Sequence, residues 1–328
     1  MTNARQPSPG GQPHAVRPRR AAAVLGAFGL ALLLGACGTP RDFTVYQQTI
    51  GDFQTATDRT ASVALEAIQG INSFERDYEL KLLREDPRRP LDVARLDTPV
   101  LSTAAIDARD RTFRVLKQYT QMLAALADSD ASERWKAASQ RAKAAADALI
   151  ENIGQQSATL AQLPIAEATT PLQAISDAVA TEIINARRAA ALDAAIAKAA
   201  PAIQDISALL REDLAFVVRQ RDSVKLLEIA ELSIAYGQAQ IDGNNAARLR
   251  LLGDIDTAVR ARSRDLATMQ GLMQSLDQFD AAHDALVRYA VSDKGPQELS
   301  DLVAIVQSYA ATAEQVFESF RAIREGTS

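Results

Sequence analysis

Residues 296–326 read PQELSDLVAIVQSYAATAEQVFESFRAIREG. Leu299, Leu302, Val306, Tyr309, Ala313, Val316, Phe320 and Ile323 recur at alternating steps of three and four, so they share one stripe of an α-helix and form a heptad seam. A stripe of this kind is stable only against another helix. Gly295-Pro296 marks its start, because the fixed φ of proline suits a first helical turn, and Gly326 marks its end.

Working back along the chain, the same spacing recurs. Leu252, Ile255, Val259, Leu266, Met269, Met273 and Leu276 predict a helix from about Asn245 to Val291, set off by the breaker Asp242-Gly243-Asn244. A first long helix is expected from Phe43 to Arg84, with Tyr46, Ile50, Phe53, Ala64, Ala67, Ile71, Phe74 and Tyr78 on one face. Thr57 and Thr60 lie on that face too, which implies a close neighbour there. Pro87 and Pro90 end it, since two prolines cannot continue the ladder, and a connector of about 15 residues follows. Further helices are expected over Thr103–Ala127 (Ile106, Phe113, Leu116, Leu123), Ala131–Ala161 (Trp135, Leu149, Ile153), Pro171–Ala199 and Pro201–Gln240. Unbroken from Pro171 to Gln240, a helix would be roughly 105 Å long, so a bent continuation or a tight turn is expected at Pro201.

No segment alternates with period two, and the composition suits helices over strands. The fold class expected is all-α: an elongated antiparallel helical bundle of six or seven long helices with coiled-coil-like seams. Aromatics are only 5% of the chain and many stripe positions are alanine, so stability is expected to spread along the seams without one dominant cluster.

The N-terminus follows different rules. Arg17-Pro18-Arg19-Arg20 precedes an apolar run that closes on Leu34-Gly35-Ala36-Cys37, and Cys37 is the only cysteine among 328 residues. A cationic front, a short apolar middle and small residues before the end form the three-part pattern of an export signal. The run is short of the roughly 20 residues of an untilted span, so cleavage is favoured over a permanent anchor.

Leu34-Gly35-Ala36-Cys37 resembles the lipobox of bacterial lipoproteins. That resemblance covers the leader alone and implies a thioether from Cys37 to diacylglycerol, peptidase cleavage before Cys37 and a further N-acyl chain. The alternative is an unmodified thiol on an uncleaved signal-anchor helix. Arg19-Arg20 also permits a twin-arginine reading, which Ala21-Ala22-Ala23 weakens. By the same resemblance, Gly38 is not the aspartate that retains many lipoproteins at the inner membrane, so outer-membrane delivery facing the periplasm is expected in a Gram-negative host. The domain reading is therefore residues 1–36 as a cleaved signal peptide, 37–42 as a lipidated tether and 43–328 as the bundle.

The leader holds four arginines and no acid, and removing those charges from the chain's −5 leaves −9 on the body. A body so charged repels phosphate backbones, which disfavours nucleic acid as a partner. With its only thiol acylated, it forms no internal disulfide.

Reactive groups are sparse. After cleavage His283 is the only histidine, and there is no Gly-x-Ser-x-Gly turn, phosphate loop or dinucleotide fingerprint. Cys/His zinc sites need more such ligands than remain. Asp277, Asp280, His283 and Asp284 fall at steps of three and four and can converge on a cation. Against this, Leu276, Phe279, His283, Leu286 and Ala290 form one seam, which makes His283 a core residue with Asp280 or another carboxylate as its partner. Arginine runs at Arg109, Arg111 and Arg114, at Arg219 and Arg221, and at Arg260, Arg262 and Arg264 read as solvated faces paired with interleaved acids. Arg262 is the exception, placed on the seam between Val259 and Leu266, where a buried charge must find a partner.

These readings point to a non-catalytic, lipid-anchored envelope protein without cofactor or metal, acting as a spacer or docking surface for another envelope protein. One rival is a small-ligand bundle resembling the helical sensor domains of bacterial receptors, with Arg262, Asp280 and His283 as candidate site residues. Another is a metal-dependent enzyme using Asp277 to Asp284.

Overall fold

The computed structural model describes residues 40–85, 88–128, 140–141, 144 and 188–326. Among them there are helices and connections but no strands: α1 (Pro40–Gln69), α2 (Ile71–Glu85), the short α3 (Val93–Asp97), α4 (Thr103–Ala127), α5 (Arg188–Ile241), α6 (Asn245–Val291) and α7 (Pro296–Gly326). The protein is an all-α helical bundle, with one compact unit from Thr44 onward. No helix among the described residues is long and apolar enough to cross a membrane. Apart from 140–141 and 144, the helix expected over 131–161 falls outside the described residues, as does the first half of that over 171–199.

Local chemistry sets the ends. Ser102 accepts from the Ala105 amide at 3.2 Å and caps α4, and Asn244 accepts from the Ala247 amide at 3.0 Å and caps α6. Between α5 and α6, Gly243 takes φ of +65° while its amide donates to Gln240 O (3.3 Å) and the Asn244 amide to Ala239 O (2.9 Å). That pairing of bonds closes a helix through a left-handed residue, and glycine adopts it without a Cβ penalty. The expected Phe43–Arg84 helix is divided at Gly70, although Gly70 N to Glu66 O (2.9 Å) and Phe74 N to Gly70 O (3.0 Å) carry the ladder across. Pro201 neither ends nor separates a helix. It lies exposed inside α5, which runs through it from Arg188 to Ile241.

Side-chain pairs fix the directions. Tyr46 Oη meets Asp193 Oδ1 and, further along, Lys81 meets Glu228, both across 147 residues of sequence. The α1–α2 run therefore lies parallel to α5 without slipping register. Arg221 with Asp265, Arg211 with Asp277 and Gln204 with Asp284 make α5 and α6 antiparallel, since the partner's number rises as that on α5 falls. Asp58 with Lys117 and Asn72 with Leu101 set α4 antiparallel to the α1–α2 run. Asn72 grips both the amide (2.9 Å) and the carbonyl (2.7 Å) of Leu101, tying the connector back onto α2.

One contiguous core joins α1, α4, α5, α6 and α7, which corrects the expectation of a core without a dominant cluster. The reason is that the few aromatics meet. Phe53 stacks on Phe279 at 5.5 Å between centroids, and Tyr309 tilts onto both at 5.9 and 6.0 Å. Such pairs add about 0.5–1.5 kcal/mol each beyond their area. A small satellite of Tyr78, Leu82 and Val224 with Phe74 holds α2 on α5.

The seam on α7 is as expected, with Leu299 to Val316 buried. On the first part of α6 the expected phase is wrong by one residue: Leu252 and Val259 are exposed, while Leu251, Ala258 and Asp265 are buried. Ala258 is small enough for a close crossing, and Asp265 is admitted because Arg221 donates to its two oxygens through Nε and Nη2.

Candidate functional site

Cys37 and the peptidase residues Leu34, Gly35 and Ala36 lie outside the described residues. The other candidates are placed, and each has a separate partner. Arg262 is neither fully buried nor free, because its Nε and Nη2 donate to the two oxygens of Asp222 at 2.7 and 3.1 Å. Asp280 pairs with Arg211, whose Nε also donates to Asp277 at 3.1 Å. Asp284 accepts from Gln204 Nε2 at 3.1 Å. The acids at 277, 280 and 284 thus share a face turned to α5, and Arg211 neutralises two of them.

His283 points the other way. It is 1% exposed, and its Nε2 lies 2.9 Å from Tyr119 Oη. The expected carboxylate partner is replaced by a phenol, because Asp280 is taken by Arg211 and a neutral donor costs less to bury than a charged one. Burial drives the His283 pKa down to about 4 against the opposing pull of Asp284, so the ring is neutral near pH 7. If Tyr119 donates to Nε2, Nδ1 carries the ring hydrogen. Nδ1 has no hydrogen-bond partner among the described residues. The opposite tautomer would strand the Tyr119 hydrogen as well, so Tyr119 as donor is the cheaper arrangement. Burial raises the Tyr119 pKa too, which keeps the phenol protonated.

A second buried polar group sits beside it. Tyr309 Oη lies 3.4 Å from Thr57 Oγ1 and 3.2 Å from Thr60 Oγ1, and Thr60 meets Ser275 Oγ at 2.7 Å. The close neighbour implied by Thr57 and Thr60 is therefore Tyr309 together with Ser275.

The largest departure from the solvated-face reading is Arg109, which is 2% exposed. It pairs with Asp213 and donates through Nη1 to Ala105 O at 3.0 Å. Burial raises the Asp213 pKa while Arg109 pulls it down, and its Oδ2 has no partner among the described residues. Arg221, also buried, holds Asp265 with the Phe74 ring 4.3 Å from its guanidinium carbon. Sequence carried a usable signal for both: Arg109 falls between Ile106 and Phe113 at seam spacing, and Arg221 continues the steps from Leu214 and Val217.

A polar cleft of about 590 Å³ opens between α2 and α3, lined by Asn72, Glu75, Arg76, Glu79, Arg95 and Gln220 among others. Buried Glu79 anchors its wall by accepting from Arg95 at 2.5 Å and Arg89 at 3.4 Å. Nothing in the sequence reading flagged this cleft, because it forms only when the connector folds back. Among the described residues no cluster of three or more His, Cys, Asp or Glu side chains is arranged to hold a metal ion. No protein family, curated protein or solved structure matches the chain.

Proposed function

We propose that this chain is a lipid-anchored cell-envelope protein whose helical bundle acts as a spacer and as a docking surface for another envelope protein, without a catalytic role. The observation that carries this reading is the run from Arg17 to Cys37, with its lipobox-like end and the chain's sole thiol, placed directly before a helical body. Two or three acyl chains on Cys37 would hold it stably, at about 0.8 kcal/mol per buried methylene. The disposition of polar groups is in keeping with a structural body: Arg109, Arg211, Arg221 and Arg262 each hold an aspartate, and His283 faces Tyr119 inside the core. The expected address is the periplasmic face of the outer membrane.

Mass spectrometry of the native product tests the anchor. A mature chain beginning at Cys37 with diacylglycerol and N-acyl masses is expected, and Cys37→Ser should release the protein from the membrane fraction. A bare Cys37 behind an intact leader overturns the assignment. Hydrolase or transferase activity in the purified body that disappears with His283→Ala overturns the non-catalytic half.

The cleft beside α3 favours a second reading, a small-ligand bundle, at a place distinct from Arg262. Thermal stabilisation by a polar ligand that vanishes in Arg95→Ala would support it, since binding to the folded state alone raises stability by mass action.

A further inference from the structure

The turn between α6 and α7, residues 292–295, carries a lysine in a backbone conformation that suits glycine. Lys294 has φ of +60° and is the one non-glycine residue with positive φ among the described residues. Its Cβ crowds a backbone carbonyl there, a cost that Gly295, one residue on, would not incur. Ser292 holds the turn in that shape, since its Oγ donates to Tyr289 O at 3.0 Å and accepts from the Lys294 amide at 3.1 Å. The conformation sets the lysine side chain among three groups. Lys294 Nζ pairs with Asp193 and lies 5.1 Å from the ring centroid of Tyr289 and 5.9 Å from that of Tyr46.

We infer that Tyr46, Tyr289 and Asp193 form a binding site for a primary alkylammonium ion, which Lys294 fills as a tethered occupant. The walls and the plug come from different kinds of structure. Tyr46 on α1 and Tyr289 on α6 are 3% and 5% exposed, with their rings 4.7 Å apart and tilted by 55°. Asp193 stands on α5, and its Oδ1 accepts from Tyr46 Oη at 3.5 Å. Three helices thus fix the walls, whereas the ammonium arrives on a turn and its side chain is still 37% exposed. Withdrawing that side chain leaves two aromatic rings and a carboxylate facing a place shaped for a cation.

The chemistry of the walls selects the ligand. An aromatic face attracts any organic cation, quaternary or not. A carboxylate oxygen that accepts a hydrogen bond from Nζ asks in addition for an N–H, which a quaternary ammonium lacks. A primary amine on a short alkyl stem supplies both, as the end of Lys294 does. In the wild-type chain such an ion must displace Lys294, so its apparent affinity is reduced by the fraction of molecules whose site stands open.

Isothermal titration calorimetry of the full chain with n-butylammonium chloride tests this, in the wild type and in Lys294→Gly, which empties the cage and suits the φ of +60°. Saturable binding of one ion is expected in Lys294→Gly. The wild type should bind at least about tenfold more weakly, the factor for a site closed by its own lysine about nine-tenths of the time. Adding Asp193→Asn to Lys294→Gly should weaken binding by at least about tenfold, and so should replacing the probe with tetramethylammonium, which has no N–H to donate. Lys294→Gln removes the charge without changing the turn to glycine and serves as the opened form should Lys294→Gly fail to fold, as judged by circular dichroism. Absence of saturable binding in the opened variants, or a wild type that binds as tightly as they do, overturns the inference. So does binding that Asp193→Asn leaves unchanged or that accepts tetramethylammonium equally well.

Discussion

Helix α5 lives in two settings. From Leu192 to Val217 it is surrounded, and Leu192, Ile196, Ile203, Ile206, Leu210 and Leu214 are all at most 1% exposed. From Leu226 to Ile241 its neighbours among the described residues are α6 and, as far as Glu228, the end of α2, and Leu226, Leu227, Ile234 and Ile241 face outward. The two parts are alike in residue type and differ in the number of neighbours. Helical sequence alone therefore does not make a core residue; the topology that brings α1, α4 and α7 alongside the first part does. The difference also sorts the charges. In the body an ion pair such as Arg109–Asp213 is enclosed by apolar neighbours, while on the far hairpin Arg260 and Asp256 pair in open solvent.

The sharpest way to expose that contrast is to break the enclosed pair. Arg109→Leu leaves Asp213 buried without its cation and should cost about 3–5 kcal/mol in urea denaturation. Adding Asp213→Leu should restore most of the loss, because the penalty lies in the stranded charge more than in the missing attraction. Arg260→Leu should move stability by less than about 0.5 kcal/mol. Equal effects at Arg109 and Arg260 would mean that the body is as solvated as the hairpin.

Apolar truncation on α5 should divide the same way. Ile206→Ala opens a cavity among fixed neighbours and is expected to cost about 2–5 kcal/mol, whereas Ile234→Ala at 69% exposure should stay within about 0.5 kcal/mol.

The body should also carry a pH dependence through His283. The folded pKa of His283 is depressed to about 4 from an ordinary value of 6.5, so the unfolded chain binds this proton first as pH falls. Its contribution is complete above pH 6.5 and is lost between 6.5 and about 4, with a total of order 3 kcal/mol. Subtracting the pH profile of His283→Leu from that of the wild type should isolate this loss from the carboxylates. A flat difference over that window would place His283 in contact with water.

How much of this was legible follows from how local each feature is. The seam on α7, the ends of α4 and α6 and the turn at Gly243 depend on neighbours within a few residues, and periodicity and capping chemistry read them directly. Leu252 and Val259 were misread because two phases of α6 offer apolar residues at the same spacing. The choice between them is made across the gap by Arg221, which accepts Asp265 inside. His283 was legible as a core residue from its seam, yet its partner Tyr119 is 164 residues away and no spacing rule reaches that far. The cleft at Glu79 is of the same kind, since Arg89 and Arg95 reach it only after the connector folds back.

The smallest expected effect sharpens the comparison most cleanly, because one substitution should change sign between the two regions. Gly237 and Gly271 are both helical, and alanine is worth about 1 kcal/mol over glycine in a helix interior. On the hairpin the added methyl of Gly237→Ala meets nothing within 4 Å, so the gain should appear in full as a higher midpoint. In the body the same methyl on Gly271 lies 3.1 Å from Cγ2 of Val316, itself buried on α7. The helices must part by a few tenths of an ångström or Val316 must leave its rotamer, and overpacking of that kind costs about 1–3 kcal/mol. Gly271→Ala should therefore come out neutral to destabilising by about 1–2 kcal/mol despite the same propensity gain. Val316→Ala in that background should restore the difference, since it removes the atom that the methyl strikes. If both glycine variants instead raise the midpoint alike, α6 and α7 are not in tight contact at this crossing, and the line drawn between a packed body and an open hairpin moves inward to α7.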